Sequence, residues 1–288
     1  LGSHAEQPEK MTNQICTWLY EQAGALTAAV RASDAEPFLL PGKSMPPCRT
    51  VILAAIPYYA GDEPGSISLY ARGQDYHMVI RRLFQSALAA CGAESEASHA
   101  FADVSPFREI GLASAAGLGQ IGQNGLLLTK PYGSYVFLGE LCGDFDGETV
   151  SLHEPERCCG CGACRKACPT APACLSEITQ RKGELTEAEQ ALMRQYHTAW
   201  GCDICQKVCP ANRHPQKAKL PAFCEELVTD FDYEALKHLS NGAIERRYAG
   251  RSFLWRGGGI IRRNAAILAG ESVPAAGHTP QDGTRQTK

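Results

Sequence analysis

Eight cysteines in the middle of this 288-residue chain have the spacing of iron–sulfur ligands. In the first run, three cysteines are separated from one another by two residues. A fourth cysteine follows after three more residues and directly precedes a proline. This run is the ligand pattern of bacterial ferredoxins. The eight are Cys158, Cys161, Cys164 and Cys168, then Cys174, and then Cys202, Cys205 and Cys209. The pattern predicts a centre that carries electrons.

The spacing also predicts how the eight ligands divide between two clusters. In the ferredoxin pattern, the cysteine before proline points away from its own run and binds the other cluster. By this rule the first set is Cys158, Cys161, Cys164 and Cys209. The second set is Cys168, Cys174, Cys202 and Cys205. We therefore predict two [4Fe–4S] cubanes that lie close enough to exchange electrons.

Two other interpretations of the cysteines compete with this one. Zinc sites also use cysteines two residues apart, but their ligands come in pairs and leave the third thiolate of the first run unexplained. A disulfide framework fits poorly with the adjacent Cys158 and Cys159. Fourteen cysteines without a recognisable signal peptide favour a reducing compartment, so we expect a cytoplasmic protein with free thiols outside the two sets.

The composition limits the class of protein. A chain of this length can form one large domain or two ordinary ones, and a hydrophobic content of 44% allows a sizeable core. No apolar run approaches about 18 residues, so we predict no membrane span. A net charge of −3 does not indicate general nucleic-acid binding. Residues 1–4 resemble a cloning remnant and are left out of the prediction.

Apolar spacing predicts the elements that must position the site. A helical stripe runs from Met11 to about Ala32. The segment from Thr50 to Ile56 is almost wholly apolar, as expected for a strand covered on both faces. Asp75 is expected to cap a helix. The segment from His99 to Val104 predicts a short strand, and Pro106 begins a helix that ends near Ala116.

Three polar residues beside these elements could belong to a site. Asp103 lies at a strand end before a helix, where α/β proteins often place chemistry, although an ordinary helix cap is the competing interpretation. Tyr76 and His77 fall in the first turn of a predicted helix. Their positions are equally compatible with a role in the site and with none.

The glycine-rich segment from Gly117 to Gly122 fits G-x-G-x-x-G, but it follows a helix and precedes a strand. A dinucleotide site requires the opposite order, so we reject a Rossmann site. We expect Gly119 and Gly122 to let the backbone approach a flat or bulky ligand. The strands Leu126–Thr129 and Tyr135–Leu141 around the next turn predict a hairpin.

Helices and positive charge characterise the last hundred residues. Thr186 and Glu189 form a predicted capping box, and helices are predicted at Phe223–Leu227 and Tyr233–Leu239. Residues 242–270 carry six arginines against one acid, which predicts either a phosphate-binding surface or a solvated helix face. The arginines are Arg246, Arg247, Arg251, Arg256, Arg262 and Arg263. Residues 271–288 are polar and predict a disordered tail.

Taken together, these motifs resemble the epoxyqueuosine reductases, cobalamin-dependent iron–sulfur enzymes of tRNA modification. The resemblance extends from about Thr50 to Gly270. The matching stretches are Ser68–His77, Asp103–Pro106, Gly117–Asn124, Tyr132–Ser134 with Leu138–Glu140, the cysteine array with Gly201–Gln206, and Arg263–Ala266.

The resemblance implies an α+β protein in three parts. Residues 11–150 would form a cobalamin-binding α/β catalytic domain, 151–220 a ferredoxin-like module with two clusters, and 221–270 a short helical C-terminal region. Asp103 matches the family's proton donor, and burial is expected to raise its pKa. The corrinoid is expected near Thr129, Leu138, Ser176 and Asp203. The chain has no D-x-H-x-x-G motif, which agrees with base-off cobalamin.

The implied reaction is the reduction of epoxyqueuosine to queuosine in tRNA, with a flavodoxin or ferredoxin as electron donor. Three features depart from the family pattern. The first is the presence of glutamine at positions 120 and 123, and the second is the short loop between Cys168 and Cys174. The third and most important is the absence of most C-terminal helical repeats. Two alternatives therefore stay open. One is the same chemistry on a free nucleoside or another small molecule, and the other is a two-cluster electron carrier without a corrinoid.

Overall fold

The computed structural model describes residues 10–94 and 97–271, and its first half is a sheet with helices on both faces. The helices are α1 (Met11–Ala23), α2 (Ala32–Ala35), α3 (Tyr76–Ala90) and α4 (Glu109–Ala115). The strands are β1 (Leu26–Arg31), β2 (Thr50–Pro57), β3 (His99–Ala102), β4 (Gln120–Ile121), β5 (Leu127–Leu128) and β6 (Val136–Gly143). The predicted cloning remnant lies outside the described residues, as does the predicted tail from residue 272.

The main sheet has the order β1–β2–β6–β3, and all its neighbouring strands are antiparallel. The mixture of helices and sheet confirms the α+β class, but the expectation of an α/β first domain is wrong because the sheet has no parallel pair. Strand β2 is buried along its whole length, as predicted. Its even-numbered side chains, such as Ile52 and Ile56, pack with α1 and α3. Its odd-numbered ones, such as Val51 and Leu53, pack with α4.

Two further predictions for this half are wrong. The helix predicted to reach Ala32 ends at Ala23, because Gly24 takes the left-handed conformation and its N–H caps the helix. The next residues pair with β2 as an edge strand, so strand pairing overrides their helical spacing. The predicted hairpin fails as well, because β5 pairs with β4, whereas β6 enters the main sheet between β2 and β3.

The second half consists of short helices and connecting loops. They are α5 (Ala163–Ala167), α6 (Leu175–Gln180), α7 (Glu187–Gln195), α8 (Ile204–Lys207), α9 (Pro221–Cys224), α10 (Tyr233–Leu236), α11 (Asn241–Arg247) and α12 (Gly258–Leu268). The predicted capping box at Thr186 is confirmed, and α9 and α10 are shorter than predicted. Trp200, Phe231, Tyr248 and Phe253 form an aromatic core under α10 to α12. Within the described ranges, no helix has both the length and the apolar character needed to cross a bilayer.

The six arginines near the C-terminus do not form one surface. Arg263 is buried and donates to the backbone oxygens of Arg181, Gly183 and Thr179. Arg251 and Arg262 also donate to backbone oxygens. The interpretation of all six as phosphate ligands is therefore wrong, because half of them stabilise the fold by binding carbonyl groups.

Two carboxyl groups face each other in the core layer under α4. Glu140 on β6 is 1% exposed and lies beside Glu109 at the start of α4. Burial raises the pKa of both groups, and the negative charge of Glu140 raises that of Glu109 further. Two buried carboxylates that lie this close disfavour ionisation of both, so the folded protein binds a proton on this pair more tightly than the unfolded chain does.

The raised pKa values of this pair predict how the stability of the fold depends on pH. A carboxyl whose folded pKa is raised above its ordinary 4.5 stabilises the fold fully below that value. The contribution is lost as the pH rises through the raised pKa, by up to about 1.4 kcal/mol per pH unit for one proton. Glu140→Gln keeps the shape and removes the ionisation. We expect the thermal midpoint of Glu140→Gln minus that of the wild type to increase from acidic to alkaline pH. Glu148→Gln, an exposed control, should show a constant difference, and a constant difference for both variants would contradict the prediction.

Candidate functional site

The first predicted set of cysteines comes together around one small hollow. Cys158, Cys161, Cys164 and Cys209 all line it, together with Cys159 and the glycine-rich turn at Gly122. Burial raises the pKa of the Cys209 thiol, and the thiols of Cys161, Cys164 and Cys158 raise it further. The structure thus places Cys209 beside the run from which it is separated by more than forty residues of sequence.

The second predicted set also meets. Burial raises the pKa of Cys202 to about 11, and Asp203, Cys205 and Cys174 add to the shift. Burial likewise raises the pKa of Cys205, with further increases from the thiols of Cys174, Cys164 and Cys168. Cys164 of the first set therefore lies near Cys205 of the second, so the two groups of thiols are neighbours.

The effect of these thiols on one another's pKa indicates which kind of cofactor they could bind. Thiolates that raise one another's pKa are stabilised when a cationic centre binds among them. Among the described residues, no three histidine, cysteine or acidic side chains converge as the ligands of a single metal ion do. A cubane is bound at its four corners, so its thiolates need not converge on one point. The thiol-only donor set fits iron–sulfur clusters.

Asp103 and His77 form the second part of the site. Asp103 follows β3 with a left-handed backbone, φ 64°, which is uncommon for a residue other than glycine and is typical of functional positions. His77 Nε2 lies 3.3 Å from the Asp103 carboxylate, and its Nδ1 lies 2.7 Å from that of Asp75. Tyr76 stacks on the imidazole with ring centroids 4.0 Å apart.

The charges in this group differ from the expectation. The hydrogen bond from His77 lowers the pKa of Asp103, whose side chain is 62% exposed, so the prediction that burial raises this pKa is wrong. Hydrogen bonds to Asp103 and Asp75 raise the pKa of His77 to about 9. At neutral pH the proton therefore lies on the imidazole, between two carboxylates. Sequence reasoning left the role of His77 open, and its position two residues after a helix-capping aspartate was the available signal.

Tyr70 lies between the cysteines and this acidic group. Burial raises its pKa to about 12, and both Asp203 and Asp103 add to the shift. Asp203 is buried, accepts hydrogen bonds from the Ser68 hydroxyl and the Leu69 N–H, and stands next to Cys202. These contacts attach the second group of thiols to the segment that carries Tyr70.

The other predicted corrinoid contacts lie in different parts of the molecule. Ser176 is near Tyr70, because the Gln180 side-chain amide donates to the hydroxyls of both. Gly119 and Thr129 instead line a separate open cleft of about 940 Å³ bounded by α1 and the β4–β5 pair. Leu138 is a half-buried residue of β6 and packs in the core layer under α4. The structure therefore does not bring all these positions to a single surface that one ligand could contact.

The two glycines have a structural explanation within the chain. A Cβ on Gly119 would lie 2.4 Å from the Leu128 carbonyl oxygen, and one on Gly122 would lie 2.3 Å from the Asn124 amide oxygen. The contact at Gly119 is with backbone, so the closeness of β4 to β5 requires glycine there whether or not a ligand binds. At Gly122 the contact is with the end of the Asn124 side chain, which would have to move to admit a larger residue.

Comparison with known proteins gives a consistent result. Residues 39–104 match the family described as "Epoxyqueuosine reductase QueG, DUF1730". An epoxyqueuosine reductase of Lactococcus garvieae is 32% identical over 266 residues, which cover 81% of this chain and 72% of the relative.

Two solved structures are also similar. The epoxyqueuosine reductase of Streptococcus thermophilus has a TM-score of 0.65 and 28% identity, with 77% of this chain and 64% of that chain covered. A second epoxyqueuosine reductase, solved with an epoxyqueuosine-modified tRNA-Tyr stem loop, has a TM-score of 0.68 and 23% identity over 90% of this chain and 79% of that chain. The second likeness concerns the fold alone.

The chain covers 72% of the length of the Lactococcus relative at 32% identity, which shows common ancestry. Its described residues carry the paired thiol groups and the Asp103 group within the same fold. The chain therefore belongs to the epoxyqueuosine reductase family of oxidoreductases.

Proposed function

We propose that this chain reduces epoxyqueuosine to queuosine in tRNA, with two [4Fe–4S] clusters and base-off cobalamin as cofactors. The observation that carries the proposal is the continuity of the site. Asp203 stands between Cys202 and Cys205, and its charge acts on Tyr70, as does that of Asp103. Electrons from the cysteine groups and a proton from the acidic group could thus reach one place.

The reaction balance shows what the chain must supply. Removal of an epoxide oxygen as water breaks two C–O bonds, forms a C=C bond and consumes two electrons and two protons. The eight cysteines would hold the clusters, and cobalamin, when bound, supplies a strongly reducing cobalt centre. His77 holds a proton at Nε2 against Asp103, which is exposed enough to meet a substrate. Ser176 and Asp203, which lie near Tyr70, are the proposed cobalamin contacts, whereas Gly119, Gly122, Thr129 and Leu138 lie elsewhere.

The substrate is the less constrained part of the proposal. A relative with the same fold was solved with a modified tRNA stem loop, which supports tRNA. The burial of Arg263 and the carbonyl contacts of Arg251 and Arg262 remove half of the expected phosphate ligands, which favours a free nucleoside as the second candidate. We propose a flavodoxin or ferredoxin as the electron donor and the cytoplasm as the location.

The test is to reconstitute the protein anaerobically with iron, sulfide and cobalamin and to supply a chemical reductant. An epoxyqueuosine-containing stem loop and the free nucleoside are then offered separately, and products are measured by mass spectrometry. We expect faster turnover of the stem loop. Equal turnover would support the nucleoside candidate. If neither is reduced, the proposed reaction is wrong, and if no cobalamin binds, a corrinoid-free electron carrier is the better interpretation.

The division of the cysteines predicts the iron content. Anaerobically purified protein should hold about eight irons per chain, since each cubane has four. Cys174→Ala should lose about half of the iron and keep the other cluster's absorption spectrum. Cys159→Ala is a matched control, because Cys159 lines the same hollow as the first set but is not a predicted ligand. About four irons in the wild type, or bound zinc, would overturn the assignment.

The ion pair predicts the pH dependence of turnover. Asp103→Asn should keep the cofactors and lose about 10²–10⁴-fold in turnover, the usual contribution of a general acid. In the wild type the acidic group keeps its proton up to a pH of about 9, the raised pKa of His77. In His77→Gln the remaining acid is Asp103 alone, so the alkaline loss of activity should begin at a much lower pH. An unchanged pH profile in His77→Gln would exclude the pair as the proton source.

A further inference from the structure

Trp255 is an aromatic side chain held in an exposed position. It is 60% exposed, whereas Trp200 is 1% exposed and Trp18 packs against the main core. The guanidinium carbon of Arg256 lies 3.6 Å from the centroid of the indole ring, a close cation–π contact that covers one face. The high exposure of the indole means that much of the ring opposite this cation is open to solvent.

Hydrogen bonds place this indole at the edge of the proposed active site. Trp255 Nε1 donates to the side-chain oxygen of Gln180 at 3.0 Å. The amide nitrogen of Gln180 in turn donates to the hydroxyls of Ser176 at 3.0 Å and Tyr70 at 3.3 Å. One side chain therefore separates Trp255 from Tyr70, which senses the charge of Asp103. The same contact fixes the ring orientation.

This combination suits a base of single-stranded RNA. An enzyme that acts on a base in a loop must draw that nucleotide out, and its neighbours lose their stacking partners. Exposed aromatic rings restore stacking for any base, and an adjacent arginine adds attraction to the phosphate backbone. Hydrophobic protein partners would not explain the cation on the indole or its polar anchor.

We propose that Trp255, supported by Arg256 and oriented by Gln180, stacks on a base that neighbours the modified nucleotide in the tRNA stem loop. The inference rests on the proposed action on tRNA and adds the surface that positions the loop. It also gives the chain a way to hold RNA that does not depend on the three arginines bound to backbone carbonyls.

Binding can be measured without catalysis. Trp255 is the exposed one of three tryptophans, so the same tRNA-Tyr stem loop without the modification should quench the protein's fluorescence on binding. We expect Trp255→Ala to remove most of this quenching and to weaken binding about tenfold or more, as measured independently with a labelled stem loop. Trp255→Phe should retain most of the affinity. Tyr196→Ala removes an exposed aromatic side chain elsewhere and should bind like the wild type.

Turnover separates the inference from the proposed function. With an epoxyqueuosine stem loop, Trp255→Ala should raise KM with little change in kcat, since the stack is made equally in the ground state and the transition state. If the wild type reduces the stem loop and Trp255→Ala has the same KM and affinity, the inference is wrong and the proposed function stands. If the wild type binds the loop with quenching but reduces nothing, the proposed function fails instead. A wild type that shows no quenching and no binding of the loop overturns the inference directly.

Discussion

Crowding of cysteine thiols is the constraint on which the rest of this structure depends. Three separated segments bring eight thiols into two neighbouring groups, where burial and mutual repulsion raise the pKa values of Cys202, Cys205 and Cys209. The thiolate form of such a group is stabilised when a cationic centre binds within it. Much of the second half of the chain is short helices and loops whose contacts keep these segments in place.

The contacts that hold the cysteine segments are largely buried and polar. Asn212, which follows Cys209, binds the Ser134 backbone N–H and hydroxyl and the Gln206 carbonyl oxygen. Gln206 in turn donates to Ser134 and to the Tyr58 hydroxyl at the end of β2. Since buried polar groups lose much more when left unpaired than they gain when paired, this network fixes the position of the cysteine segments against the sheet.

Electrostatic pairing organises the other side of the site. The left-handed backbone at Asp103 carries a conformational cost, and the contact with His77 helps to hold the carboxylate in place. The imidazole between two carboxylates stores a proton at neutral pH in a partly exposed position, where an isolated aspartate would have lost it. Arginines further along the chain have two different roles. Arg263 is buried and donates to backbone oxygens of the loop after α6, whereas Arg256 covers one face of the exposed Trp255 indole.

Local chemistry explains what could be predicted without coordinates. The cysteine spacing predicted which thiols lie near one another, the capping residues at Asp75 and Thr186 marked helix starts, and the apolar run of β2 indicated burial on two faces. These signals depend on neighbours in sequence, or on a ligand geometry that is the same in many proteins. The helix end at Gly24 was missed because apolar spacing continued past it, and only pairing with β2 decides that the following residues form a strand.

Long-range contacts decided the remainder. Whether the six arginines bind phosphate or backbone carbonyl groups depends on the burial of each side chain. The number of charges in the sequence does not predict that burial. The pKa of Asp103 depends on an imidazole 26 residues away along the chain, and the exposure of Trp255 depends on how the short 3₁₀ helix Ser252–Arg256 contacts α6. The sequence by itself determined the family and predicted how the eight cysteines divide into two groups, because spacing and residue type carry that information. Tertiary structure decided protonation, exposure and strand pairing, because these depend on groups that meet only when the chain is folded.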